Sequence, residues 1–117
     1  MESFMLLLYN QDDDFAGFGP EEMQAIVERY KAWGDQLAEQ DRFLGSDKLA
    51  DDEGRVLLRK DAEPRVIDGP YSETKEVVGG YFAFKAASYD EAVEIARQCP
   101  HHQLGFLAEL RRIDPLH

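Results

Sequence analysis

The chain has 117 residues, 44% of them hydrophobic and 11% aromatic, which suits one domain with a buried core and excludes a two-domain enzyme or a wholly disordered chain. Its 13 lysines and arginines stand against 24 aspartates and glutamates, a net charge of −11 that opposes direct binding to nucleic acid or to an anionic membrane. The single cysteine, Cys99, cannot form an internal disulfide, and no signal-peptide pattern is visible, so a cytoplasmic protein is expected.

The first element is the apolar run Phe4-Met5-Leu6-Leu7-Leu8-Tyr9. It is far short of the roughly 20 residues of a membrane span and is stopped by Asn10-Gln11-Asp12-Asp13-Asp14, so it reads as a buried strand before an acidic loop. Side chains alternate along a strand, so Phe4, Leu6 and Leu8 share one face while Met5, Leu7 and Tyr9 share the other, and both faces need cover. Gly19-Pro20-Glu21-Glu22 then opens a helix: proline suits the first helical position, and the carboxylates suit the helix dipole. Met23, Ile26, Val27, Tyr30, Trp33 and Leu37 form its apolar stripe to about Gln40, with Glu28, Lys31, Asp35 and Glu39 on the solvated face.

A second strand is expected over Phe43 to Leu49. After the turn Asp51-Asp52-Glu53-Gly54, Arg55 to Arg59 and Arg65 to Ile67 read as an antiparallel hairpin about Asp61-Ala62-Glu63-Pro64. Gly79-Gly80 opens an aromatic strand to Ala86, the glycines allowing either positive φ or close approach of another backbone, including a partner's. Ser88-Tyr89-Asp90-Glu91 has the form of a capping box, so a helix begins there, with Ala92, Val93, Ala96 and Cys99 inward and Pro100 as its stop. A last strand covers about Phe106 to Ile113. The order β-α-β, hairpin, β-α-β predicts an α+β ferredoxin-like two-layer sandwich, a single domain over 1–117. Because the first strand is apolar on both sides, the open sheet face is expected to be covered by a second copy, as a homodimer.

The stretch Ile67-Asp68-Gly69-Pro70-Tyr71-Ser72-Glu73-Thr74-Lys75-Glu76-Val77-Val78-Gly79-Gly80-Tyr81 resembles the signature segment of the YCII-related family in its DGPF branch, bacterial proteins of largely uncharacterised function. The resemblance extends to Phe4–Tyr9, Ser88–Glu91, Cys99-Pro100 and Glu109-Leu110-Arg111, and it implies a dimeric α+β barrel. Two departures stand out: Tyr71 occupies the place of the branch's phenylalanine, and Arg112 that of a usual proline. The wider group's proposed His-Asp pair has its histidine early in the chain, whereas the first histidine here is His101, so that role does not carry over.

Asp68 ends a strand ahead of a Gly-Pro turn, where its carboxylate either caps turn N–H groups or faces a cleft as a general base. Tyr9, Tyr71, Thr74, Lys75 and Glu76 are the candidate ligand-binding residues beside it, on or near an irregular loop. His102 is a further candidate base, and His101-His102 lack metal-ligand spacing; neither a metal nor a cofactor is expected. Cys99 is expected to be an inert packed thiol. The first functional reading is a small polar metabolite bound in a cleft beside this loop, with proton transfer or elimination as the reaction class. The alternative is a protein–protein interaction module accessory to sigma-factor-linked transcriptional control, which the resemblance suggests, meeting a basic partner through Asp12–Asp14 and Asp51–Glu53.

Overall fold

The computed structural model describes residues 1–11, 13–69 and 76–116. Strand β1 (Glu2–Asn10) is followed by helix α1 (Pro20–Glu39), strands β2 (Phe43–Lys48), β3 (Arg55–Lys60), β4 (Glu63–Asp68) and β5 (Val77–Ala86), helices α2 (Tyr89–Ala96) and α3 (Pro100–Gln103), and strand β6 (Ala108–Arg112). Four strands form one sheet in the order β2-β5-β1-β6, each neighbouring pair antiparallel, while β3 and β4 form a separate two-stranded hairpin. This is the expected ferredoxin-like α+β arrangement.

Phe4, Leu6 and Leu8 of β1 and Phe82 and Phe84 of β5 point to one face, where Trp33 and Leu37 of α1 and Ala92 of α2 meet them in a single core cluster. Trp33 packs edge-on to Phe82 with ring centroids 4.8 Å apart, and Phe4 likewise to Tyr89 at 5.0 Å. Tyr89 also accepts a hydrogen bond from the Arg112 backbone N–H at 2.8 Å, tying α2 to β6. Both long helices therefore cover one sheet face, and Met5, Leu7 and Tyr9 lie half-buried on the other.

Several boundaries differ from the sequence expectations, for physical reasons. Strand β5 begins at Val77, because Val77 and Val78 pair with Asn10 and Tyr9 beyond a bulge at Leu8/Tyr9. Gly79 and Gly80 lie inside β5 and serve close approach within the chain: a Cβ on Gly80 would stand 2.8 Å from the Asp47 carbonyl oxygen, and one on Gly79 would collide with the Asn10 side chain. Pro100 does not merely stop a helix but begins α3, since a proline at the first helical position gives up no hydrogen bond. At α2 only half of the capping box forms: Ser88 Oγ accepts from the Glu91 N–H at 3.2 Å, while Glu91 Oε1 accepts from Ala87 N at 2.9 Å and from Arg42 at 2.8 Å. That backbone bond, and then Arg42, hold the Glu91 carboxyl below the usual carboxylate range.

Candidate functional site

The segment after β1, the residue ahead of β5 and helix α3 meet at one end of the sheet. Gln11 Nε2 donates to Glu76 Oε1 at 2.7 Å. Asp14 Oδ2 accepts from the Gln11 backbone N–H at 2.8 Å and from Asn10 Nδ2 at 3.3 Å, so this acidic loop is folded on itself rather than splayed into solvent.

His101 lies in the same region, 1% exposed. Its Nε2 is 2.7 Å from the Tyr9 carbonyl oxygen, which can only accept, so Nε2 carries the proton. Nδ1 is then the acceptor for the Tyr30 hydroxyl at 2.8 Å. Both ring nitrogens are satisfied by a neutral imidazole, and burial pushes the His101 pKa below its ordinary value. The Tyr9 and Leu107 backbone and the negative charges of Asp14 and Glu76 pull it back toward protonation. Burial also drives the Tyr30 phenol far above its usual range, so it stays a donor. Phe106 packs against His101 with ring centroids 5.3 Å apart, and Phe15 against Phe106 at 5.0 Å. Tyr30 also lines a groove of about 300 Å³ between α1 and β2, with Gly34, Phe43 and Phe82 in its wall and Lys31 and Asp35 beside them.

The end of the sheet thus offers two carboxylates and an amide on loops, beside a neutral imidazole and an aromatic wall. Such groups can take a proton from, and hydrogen-bond to, a small hydroxylated molecule.

Of the residues singled out from sequence, Glu76 belongs to this cluster. Tyr9 contributes its carbonyl, while its phenol donates to Glu109 Oε1 at 2.9 Å on the sheet's other face, a bond that raises the phenol pKa above its ordinary value. Asp68 is exposed at the end of β4, its carboxylate 3.6 Å from Arg55 Nε across the hairpin. His102 is exposed on α3, next in sequence to the buried His101. Tyr71, Thr74 and Lys75 lie outside the described residues, as does Asp12 of the acidic run. Sequence reading did not assign His101, Gln11, Asp14 or Tyr30 to a site. The one available clue was Pro100, which permits a helical turn that sends His101 inward. Among the described residues no group of three or more His, Cys, Asp or Glu side chains could hold a metal ion, and no helix is long and apolar enough to cross a membrane.

The family model of the YCII-related domain matches residues 3–115. The chain belongs to the YCII-related family. An uncharacterised protein of Rhizobium meliloti (strain 1021) is 30% identical over 95 residues, covering 80% of this chain and 77% of the relative. Among solved structures, the 5-chloro-2-hydroxyhydroquinone dehydrochlorinase TftG of Burkholderia phenoliruptrix AC1100, in complex with 2,5-dihydroxybenzoquinone, superposes with a TM-score of 0.52 at 12% identity, covering 97% of this chain and 94% of that one. At that identity the likeness is one of fold, and it agrees with the two-layer arrangement of this YCII-related chain.

Proposed function

We propose that the protein binds a small, polar, ring-bearing metabolite at the His101 end of the sheet and acts on it by proton transfer or elimination. The observation that carries this reading is the convergence of Gln11, Asp14 and Glu76, from segments 65 residues apart, beside a neutral buried imidazole. In this reading Glu76 is the proton acceptor, and Asp68, at the start of the segment leading to it, is a second carboxylate. Tyr71, Thr74 and Lys75 are assigned to the same ligand from their place in the sequence between Asp68 and Glu76. A dihydroxylated quinone, the kind of molecule bound by the dehydrochlorinase of similar fold, has ring oxygens that can accept from the Gln11 amide and flat faces for the aromatic wall. A second copy covers the open sheet face about Met5 and Leu7.

The test is a thermal-shift titration with 2,5-dihydroxybenzoquinone as the probe, up to about 1 mM, since a ligand of the folded state must raise Tm. Wild type is expected to shift by several degrees and Glu76→Gln by none, with the unliganded Tm of the two alike. No shift in wild type, or an equal shift in the variant, overturns the reading.

A further inference from the structure

The β3–β4 hairpin stands apart from the body. None of its residues joins the core cluster among the described residues, and its strands pair only with each other. Both of its faces are apolar. Leu57 and Val66 are cross-strand partners on one face, 76% and 65% exposed, while Val56 and Ile67 pair on the other with Leu58 beside them. Its two-residue turn holds Asp61 and Ala62 at φ of 52° and 67°, the left-handed region that an alanine's Cβ disfavours. A two-stranded hairpin is marginal in water even with a good turn, and this one also exposes four large aliphatic side chains.

The whole molecule shows the same deficit. A compact monomer of 13.4 kDa exposes about 6,500 Å², whereas this chain exposes 8401 Å². Its radius of gyration is 16.2 Å against about 13 Å for a compact domain of this length. The excess, about 1,900 Å², lies within the roughly 1,000–2,500 Å² that each copy buries in an obligate dimer. Charge selects the occupant. Residues 55–68 carry Arg55, Arg59, Lys60 and Arg65 against Asp61, Glu63 and Asp68, a net +1, which leaves −12 on the rest of a chain of −11. The hairpin is thus the part of one copy that the acidic body of another repels least.

We propose that the β3–β4 hairpin is an arm that seats its apolar faces on a second copy of this chain. The proposal builds on the dimer of the reading above and adds that the arm is indispensable to it. It also bears on the site. The arm joins the body at Gly54 and Gly69, and its outgoing strand carries Asp68, a residue assigned to the proposed site.

Gly69 N donates to Gly54 O at 3.3 Å, so residues 55–68 can be replaced by an Asn-Gly turn without moving the body. Sedimentation equilibrium of the wild type is expected to show a dimer at micromolar concentration, and the armless variant is expected to dissociate about 100-fold more readily or worse. The Leu57→Asp/Val66→Asp double variant should weaken assembly in the same direction, and Trp33 fluorescence checks that the body remains folded in both. A monomeric wild type at about 100 µM overturns the proposal. So does a folded armless variant with an unchanged dimer constant, which would leave the open sheet face as the whole interface. Neither outcome depends on ligand binding, so failure here is distinct from failure of the proposed function.

Discussion

Replacing Tyr30 by phenylalanine removes the hydroxyl that donates to His101 Nδ1 and leaves a buried acceptor without that partner. The expected cost is about 1–3 kcal/mol, read from urea unfolding near neutral pH, because an unsatisfied buried group loses its full hydration. His101 also makes a pH prediction whose sign is opposite to that of an ion-paired histidine. Burial is the largest influence and lowers its folded-state pKa, so the unfolded chain binds the proton more readily. Its contribution to stability is therefore complete above about pH 6.5. It declines by up to about 1.4 kcal/mol per pH unit as pH falls from there to the folded-state value, and levels off below it. The slope between pH 7.5 and 5 should be shallower in His101→Gln than in wild type; equal slopes would show that another group governs acid sensitivity.

Close backbone approach governs the elements. Gly80→Ala places a methyl 2.8 Å from the Asp47 carbonyl oxygen, an atom of β2 that cannot yield without parting β2 from β5. It is expected to cost about 1–3 kcal/mol in thermal unfolding. Gly79→Ala meets the Asn10 amide oxygen, the end of a side chain that can swing, so the smaller loss should fall there. A larger loss at Gly79 would reverse this account. The elements legible in the sequence are those whose evidence is local. The apolar stripe of α1 and its Gly19-Pro20 start place the helix within a residue of its observed end, and the hairpin is announced by its turn residues. The start of β5 was less legible because Val77 and Val78 owe their strand conformation to Asn10 and Tyr9, far away in the chain. The site was least legible of all: His101 is defined by partners 71 and 92 residues distant, Tyr30 and Tyr9, and no local pattern announces such contacts.

For the whole molecule, folding and association should be one process if the arm is seated on a second copy. The apparent Tm is then expected to rise with protein concentration between about 5 and 200 µM by calorimetry, as mass action requires, and to begin rising only at higher concentration in the armless variant. A wild-type Tm that ignores concentration would indicate copies that fold independently. Cys99 gives a second view of the same body. It is the chain's single cysteine, fully buried where α2 gives way to α3, and burial pushes its thiol up to about 11. A disulfide reagent in neutral buffer can therefore modify it only during moments when that corner comes open. The rate of labelling, set against that of the unfolded chain, measures how often the native protein opens there, with the native sample itself neither heated nor denatured.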